Sequence, residues 1–153
     1  MIKLVVFAAS SILLASVATS AFAKPVEIVD PWIAAPPMGA PTAAGYAVIQ
    51  NVGHSADALV NATTPAAEKL EVHSMSMAGG VMRMRPVATP LPIAPGQSLK
   101  LARGGDYHFM VIRPTHPLKV GDRVPATLIF AKAGSVKVIF VVKSSTQAGM
   151  AMP

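Results

Sequence analysis

Residues 71–86 read EVHSMSMAGGVMRMRP, a run in which a Gly-Gly pair separates two methionine-containing segments. Glycine takes the positive φ angles of a tight turn at little steric cost, so Gly79-Gly80 can reverse the chain. We therefore predict a β-hairpin whose strands cover residues 68–77 and 81–87. A loop of four residues, 77–80, is expected between the two strands.

The predicted loop sets which residues of the hairpin face each other. With residues 77–80 in the loop, His73 lies opposite Met84, and Met75 lies opposite Met82. Directly opposed residues of an antiparallel pair emerge on the same face, about 5 Å apart at Cβ. A slip of one residue would move Met84 to the other face, so this assignment depends on the loop.

Outside the hairpin, short apolar segments and turn residues alternate along the chain. Strands are predicted over 26–33, 44–50, 57–63, 97–102, 107–112, 124–130 and 135–142. The segment 89–96 contains three prolines and is expected to be an irregular connection. Short strands at this spacing, without a 3.6-residue periodicity, indicate an all-β fold. We predict a single-domain antiparallel Greek-key β-sandwich with Trp32 in its core.

The two ends of the chain differ from its middle. Lys3 precedes an apolar run, and Ala21-Phe-Ala23 has the small-x-small form of a cleavage site, so residues 1–23 are predicted to be a cleaved signal peptide. Residues 24–143 are expected to form the β-sandwich domain, and residues 144–153 a flexible tail that contains methionine. The mature chain is then expected in the periplasm as a monomer without a membrane span.

The net charge and the absence of cysteine exclude several classes of protein. The formal net charge is +6, or +5 without Lys3, which leaves twelve Lys and Arg against seven Asp and Glu. The basic residues are dispersed singly, which argues against nucleic acid and leaves either solubilising charge or docking to an acidic protein. Without cysteine there is no disulfide, no thiol nucleophile, no site for lipid attachment and no His₂Cys blue-copper centre.

A second pair of histidine and methionine lies downstream of the hairpin. His108 and Met110 are two residues apart in a predicted strand, so their side chains share one face. With His73 and Met84 they make up a candidate site of two imidazoles and two thioethers. Thioether sulfur suits Cu(I) and is a poor ligand for Ca²⁺, Mg²⁺ or Zn²⁺. The residues themselves therefore predict a soft-metal site in an exported, thiol-free domain.

The other histidines and methionines are not assigned as ligands. His54 and His116 are expected in exposed loops. Met82 is interpreted as either a reserve ligand or a flexible apolar cover, and Met75 and Met77 as an apolar wall beside the site. Met38 is interpreted as either a cap over an open site or a residue without a specific role. Met150 and Met152 of the tail are interpreted either as chance occurrences, the favoured interpretation, or as residues that bind copper and hand it onward.

The spacing of the candidate ligands resembles that of a known family, the periplasmic copper chaperones called PCuAC, whose signature is His, ten residues, Met, about twenty-one residues, then His-x-Met. Here ten residues separate His73 from Met84, and His108-Phe-Met110 supplies the second half. Other similar segments are Asp30-Pro-Trp32, Ala44-Gly-Tyr46, Glu71-Val-His73, Gly80-Val-Met-Arg-Met-Arg-Pro86, Gly104-Gly-Asp-Tyr-His108 and Ala131-Lys-Ala-Gly134. Two features differ from the family: 23 residues separate Met84 from His108, and Ser74 stands where an optional methionine would follow the first histidine.

The resemblance implies a cupredoxin-like β-sandwich that binds Cu(I) through His73, Met84, His108 and Met110. Whether Cu(II) also binds, at secondary sites, stays open from the sequence. It further implies a periplasmic chaperone that delivers copper to the copper centre of cytochrome c oxidase. The implied partners are the copper-bearing subunit domain of that oxidase and an assembly protein of the Sco type.

Two other functions remain open from the sequence. A copper-sequestering or resistance protein would use the same ligands but keep the ion, and a non-metal structural module would use methionine only as core filler. An enzyme is not expected, because the chain has no Gly-x-Ser-x-Gly elbow and no thiol nucleophile. Zinc hydrolysis is also not expected from a ligand set that is half thioether.

Overall fold

Buried and exposed side chains alternate along most of the strands, as in a sheet with one face on a core. The computed structural model describes residues 25–144 and residue 146. Its strands are β1 (Val26–Ala34), β2 (Thr42–Asn51), β3 (Asp57–Thr63), β4 (Ala67–Ala78), β5 (Val81–Pro86), β6 (Leu91–Ile93), β7 (Ser98–Leu101), β8 (Tyr107–Pro114), β9 (Arg123–Phe130) and β10 (Gly134–Lys143). In this described part of the chain no helix has the length and apolar character needed to cross a membrane.

Hydrogen bonding joins these strands into one continuous sheet, in the order β5-β4-β8-β7-β2-β1-β10-β9-β3-β6. The pairings β1–β10 and β7–β8 are parallel, and the other pairings among the described strands are antiparallel. β3 and β4 are far apart in this order yet lie next to each other, because the sheet folds over on itself around one hydrophobic cluster. The predicted β-sandwich is therefore confirmed.

The core consists of alternate residues from the central strands. Phe109 of β8 and Phe140 of β10 are fully buried and meet edge to face, with ring centroids 5.4 Å apart. Ile33, Ile49 and Leu128 belong to the same buried cluster. Burying one such side chain contributes about 1.5–3 kcal/mol. The opposite face of β4, β5 and β8, which we call the outer face, is left for polar and sulfur-containing residues.

The β4–β5 hairpin turns at two residues only. Gly79 and Gly80 have φ angles of 60° and 76°, which are the left-handed values that a two-residue type I′ turn requires at both positions. The flanking residues Ala78 and Val81 already pair with each other. The predicted four-residue loop is therefore wrong, because a Gly-Gly pair can close the turn without help from its neighbours.

The shorter loop changes the hairpin register by two residues. Met84 lies opposite Met75, whereas His73 lies opposite Pro86. The predicted direct pairing of His73 with Met84 is therefore wrong. Because the side-chain period of a strand is two, a displacement of two residues keeps every side chain on its predicted face. His73 and Met84 still share a face, as diagonal neighbours.

A short strand interrupts the segment in which prolines predicted an irregular connection. β6 pairs antiparallel with β3 at the end of the sheet. Leu91 and Ile93 are buried in the core, and Pro92 between them is exposed. Proline is tolerated at a sheet edge, where its missing N–H removes no ladder hydrogen bond. The prediction of an irregular connection over 89–96 is therefore wrong at residues 91–93.

Trp32 is buried as predicted, but on the opposite side of the sheet from the main core. Its neighbour Ile33 belongs to the core cluster, and successive strand residues point to opposite faces. Trp32 pairs with Tyr46, and their ring centroids are 4.5 Å apart. Ala44, two residues before Tyr46, lies opposite Met110. The aromatic pair therefore shares the outer face with the downstream candidate ligands.

The chain ends fall largely outside the described residues. The predicted signal peptide, 1–23, lies wholly outside them, as do residues 145 and 147–153 of the predicted tail. The signal peptide, the tail and the boundaries of the domain at 24–143 therefore stay predictions.

Candidate metal site

The two histidines of the predicted site lie side by side. β4 and β8 pair in a register that sets His73 directly opposite His108. Their ring centroids are 5.9 Å apart, and the ring planes are inclined by 56°. The next pair, Val72 and Phe109, points into the core. Because side chains alternate along a strand, both imidazoles project from the outer face.

His108 is buried although it belongs to the outer face. Its side chain is only 2% exposed, and its Nδ1 atom is buried without a hydrogen-bond partner. Burial lowers the pKa of His108 below the ordinary value of 6.5, and the neighbouring His73 lowers the pKa further. An unpartnered buried polar atom costs about 1–3 kcal/mol. A metal ion bound at this nitrogen would remove that cost.

His73 is held by a carboxylate. Its Nε2 atom lies 3.1 Å from Oε2 of Glu71, two residues earlier on the same face of β4. Lys69 lies near the other oxygen of Glu71, with Nζ 3.8 Å from Oε1. When Nε2–H donates to this carboxylate, the proton occupies Nε2 and the lone pair remains on Nδ1. This hydrogen bond leaves His73 Nδ1 available as a ligand.

Thioethers flank the histidine pair on the same face. Met110 lies two residues from His108 on β8, and Met75 lies two residues from His73 on β4. Met84 of β5 lies directly opposite Met75. Because residues two apart on a strand and directly opposed residues share a face, all three thioethers project to the same side as the imidazoles.

The structure brings three predicted ligands together on neighbouring strands and places the fourth one strand away. His73, His108 and Met110 occupy adjacent positions of β4 and β8. Met84 is a diagonal neighbour of His73, a separation of about 7–8 Å that long side chains can bridge. Met84 is 50% exposed, so its thioether is accessible. Met75, which was predicted to line the site, lies between His73 and Met84.

Sequence reasoning missed two relationships near the histidine pair, the pairing of Met75 with Met84 and the contact of Glu71 with His73, and both had a signal. Gly-Gly between alternating segments is typical of a two-residue hairpin loop, which would have set Met75 opposite Met84. The spacing of Glu71 and His73, two residues apart in a strand, would have placed the carboxylate beside the imidazole.

Nitrogen and oxygen ligands by themselves do not build a metal site here. Within residues 25–144 and 146, no three His, Asp or Glu side chains are grouped so as to hold a metal ion. A site centred on His73 and His108 therefore needs sulfur from methionine to complete its coordination. That requirement favours a soft ion over zinc, calcium or magnesium.

The other two histidines lie away from this pair. His54 and His116 are exposed, as predicted. Nδ1 of His116 is 3.1 Å from Thr115 Oγ1, and His116 lines a cleft together with Met38. This cleft adjoins Pro114, at the end of β8 remote from His108. Met150 and Met152 lie outside the described residues.

Comparison with models of protein families identifies the family of this chain. Residues 26–142 match the model of a family described as "Putative lipoprotein LpqE-like". The chain belongs to the LpqE-like family. The matched segment includes the four predicted ligands, His73, Met84, His108 and Met110.

Individual relatives agree with this family assignment. "Putative lipoprotein Lxx21020" from Leifsonia xyli subsp. xyli is 29% identical to this LpqE-like protein over 118 residues, 77% of this chain and 69% of the relative. Copper(I)-bound DR1885 from Deinococcus radiodurans is 33% identical, with a TM-score of 0.59 over 83% of this chain and 84% of that one. The apo PCuAC domain from PmoF1 is 26% identical, with a TM-score of 0.66 over 78% and 94%.

The structural relatives extend the assignment to the fold. Apo-DR1885 from Deinococcus radiodurans matches with a TM-score of 0.62 and 28% identity over 97% of this chain and 99% of that chain. The resemblance to the PCuAC family is confirmed, and so is the cupredoxin-like β-sandwich that it implied.

Proposed function

We propose that this LpqE-like protein is a copper carrier that binds Cu(I) through His73, His108, Met110 and Met84. The observation that carries the proposal is the cross-strand pair of His73 and His108 on a face rich in thioethers. The buried, unpartnered Nδ1 of His108 supports it, because that atom lacks a partner which an ion would supply. DR1885, a relative of the same fold, has been solved in a Cu(I) form.

The donor set favours Cu(I) over other ions. Two neutral imidazoles and two thioethers carry no charge, so they suit a monovalent, polarisable ion better than a hard divalent one. Cu(II) prefers a tetragonal set of nitrogen and oxygen ligands. We therefore propose Cu(II) only at secondary sites.

The same donors favour a carrier over an enzyme or a store. No thiolate holds the ion, since the chain contains no cysteine. Met84 is half exposed and lies on an edge of the sheet, where the ligands of an acceptor can reach the ion. We propose a non-catalytic role, because the chain has no cysteine and therefore no thiol nucleophile.

The proposed acceptor is the copper-bearing subunit domain of cytochrome c oxidase, with an assembly protein of the Sco type as a second partner. Both proposals come from the resemblance to the PCuAC family. A protein that supplies a copper centre outside the cytoplasm must itself be exported. We propose the periplasm, reached through cleavage after Ala23; the LpqE-like family is described as lipoproteins, but this chain has no cysteine to lipidate.

Competition for Cu(I) against a chromophoric chelator tests the site. His73→Ala, His108→Ala and Met110→Ala should each weaken Cu(I) binding by more than about 100-fold, since losing a ligand costs more than losing an outer-shell partner. Met84→Ala should weaken Cu(I) binding less, because Met84 is a diagonal neighbour of His73 and lies one strand farther from His108. His54→Ala serves as the matched control on an exposed histidine. Unchanged binding in all four variants would refute the assignment.

A transfer experiment separates the carrier from a copper-sequestering protein. Cu(I)-loaded protein is mixed with an apo copper-acceptor domain of the oxidase, and the acceptor's metal content is followed over time. A carrier should pass the ion within minutes, whereas a store retains it. A structural module without a metal role takes up no stoichiometric Cu(I) in the first place.

A further inference from the structure

Two methionines lie at the tip of the hairpin, beyond the candidate metal site. Met77 and Met82 are directly opposite each other, one position before the pair that closes the turn. Their side chains are 67% and 58% exposed. We call these two residues the outer methionine pair. They share the outer face with Met75 and Met84, the next methionine pair along the hairpin.

The outer methionine pair is exposed, although Met77 was interpreted as part of an apolar wall and Met82 as a reserve ligand or a flexible apolar cover. Neither Met77 nor Met82 belongs to the hydrophobic cluster of the described residues. Apolar side chains stabilise a fold through burial, and an exposed cross-strand contact contributes only about 0.2–1 kcal/mol. These two side chains therefore contribute little to the stability of the fold. Methionine is nevertheless unusual at a solvent-facing hairpin tip, because it is among the residues most often buried.

The backbone brings the sulfurs of each pair close together. Val87 N–H donates to Val72 C=O across the hairpin, and Met75 N–H donates away from β5, to Asp106 C=O. Hydrogen-bonded and non-hydrogen-bonded pairs alternate along an antiparallel ladder, so the Met75–Met84 and Met77–Met82 pairs are non-hydrogen-bonded. At such positions the Cα atoms approach to about 4.5 Å and the side chains lie closest.

We propose that the outer methionine pair is a second Cu(I) site, built from thioethers alone, from which the ion moves past Met75 and Met84 to the His73–His108 pair. The hairpin is then a ladder of sulfur ligands that leads from solvent to the imidazoles. This inference rests on the proposed function, because it takes the histidine pair as the destination of the ion.

The transfer along this ladder requires only ligand exchange. Copper remains Cu(I) throughout, and one thioether replaces another in its coordination sphere, which low coordination numbers permit. Thioethers hold no proton, so no proton is released when the outer pair loads. The charged and titratable groups near the path are Glu71 and His73 on β4 and Asp106 beside it. Arg83 and Arg85 alternate to the opposite face of β5.

The test compares copper stoichiometry in variants of the full chain. Met77→Leu combined with Met82→Leu removes both sulfurs but keeps the apolar volume. Met38→Leu is the matched control, because Met38 is 96% exposed and lies in a loop remote from the hairpin. We expect two Cu(I) ions on the wild type and on the control, and one on the double variant. Two ions on the double variant would overturn the proposal.

A second variant separates this proposal from the proposed function. His73→Ala combined with His108→Ala should keep one Cu(I), seen as shifts of the Met77 and Met82 methyl resonances by NMR. Its affinity should change less than about twofold between pH 7 and 5, because thioethers do not titrate. Unmoved Met77 and Met82 methyl resonances in this variant, together with normal loading of the histidine site in the wild type, would refute the outer site alone. Failure of the wild type to bind any Cu(I) would refute both proposals.

Discussion

Glu71 accepts a hydrogen bond from His73, with 3.1 Å between Oε2 and Nε2, on the same face of one strand. The carboxylate therefore selects the tautomer of an imidazole that stands opposite a second, buried imidazole. In metal proteins, such carboxylate partners orient the ligating histidine and raise its basicity. In the proposed copper site Glu71 is therefore a positioning residue and not a ligand.

Removing the carboxylate of Glu71 should weaken copper binding without unfolding the protein. Glu71→Ala is expected to lower Cu(I) affinity about 10–100-fold, because His73 loses the partner that orients it. Glu71→Gln should largely restore binding, since its amide oxygen can accept the same hydrogen bond. The tautomer itself is read from the ¹⁵N shifts of His73 in the apo protein.

Glu68→Ala is the matched control for this experiment. Glu68 lies on the same strand and pairs with Arg113 instead of a histidine. It should leave both the Cu(I) affinity and the His73 tautomer unchanged. Equal losses of Cu(I) affinity in Glu71→Ala and Glu68→Ala would mean that Glu71→Ala acts by disturbing β4. The hydrogen bond to His73 would then not be the cause.

Acid should release copper from His108 later than from an ordinary imidazole. Only neutral imidazole binds the ion, and burial, together with the neighbouring His73, lowers the pKa of His108 below 6.5. The contribution of His108 to Cu(I) affinity is therefore present at pH 6.5 and is lost only as the pH falls through this lowered pKa. NMR titration of the His108 ring protons gives the pKa, and chelator competition in His73→Ala isolates the copper contribution. A His108 pKa at or above 6.5 would contradict the prediction.

The apo protein should also lose stability over the same pH range. In the unfolded chain His108 takes up a proton near pH 6.5, whereas in the folded chain it does so only at lower pH. The unfolded state thus binds more protons between these two pKa values, and the free energy of unfolding falls as the pH drops through that window. Urea unfolding of the wild type and of His108→Leu should show this slope in the wild type only.

Asp57 should be a stabilising anchor far from the metal site. Its buried carboxylate accepts hydrogen bonds from the backbone N–H groups of Ala58, Lys132 and Ala133, each at 2.8 Å. Burial raises the pKa of Asp57, but these donors and the charge of Lys132 outweigh burial, so the pKa lies below 3.8. Asp57→Ala should lower the free energy of unfolding by about 3 kcal/mol, because it leaves buried donors unpaired.

The pH dependence of Asp57 has a definite sign. Since the folded pKa is depressed, its stabilising contribution is complete above the unfolded value and is lost as the pH falls through the folded pKa. Urea unfolding at pH 7 and near pH 3 should therefore show a smaller difference between wild type and Asp57→Ala at the lower pH. Asp122→Asn is the control, because Asp122 is an exposed loop carboxylate that accepts one backbone N–H, from Lys119. It should lower the free energy of unfolding less than Asp57→Ala does.

A single methyl group in the hairpin turn should disturb the candidate site. Gly80 has a φ of 76° with open space around it, so Gly80→Ala meets no clash but costs about 1–2 kcal/mol in backbone conformation. Gly39→Ala is the matched control, because its φ is 77° in equally open space and it lies outside the hairpin. Hydrogen exchange should accelerate in β4 and β5 only in Gly80→Ala, with weaker Cu(I) binding. Equal effects in both variants would show that the turn does not hold the ligands in register.

Much of the fold and half of the site follow from local geometry. The strand period of two places His108 and Met110 on one face wherever that strand lies, and it keeps His73 and Met84 on one face despite the wrong loop. Turn residues at short spacing indicate the sandwich for the same reason. The local rules fail where a neighbour matters more than propensity, as at Leu91 and Ile93, which are buried on either side of a proline.

The sequence by itself therefore determined which side chains share a face, that the chain lacks thiols and that soft ligands recur in pairs. Only the tertiary structure decided that β4 lies beside β8, with His73 opposite His108, although these residues are 35 positions apart (108 minus 73). It also decided that Met77 and Met82 face solvent while His108 is buried. The physical reason is that pairing and burial depend on how the whole sheet folds over its core, whereas side-chain alternation depends only on the extended backbone.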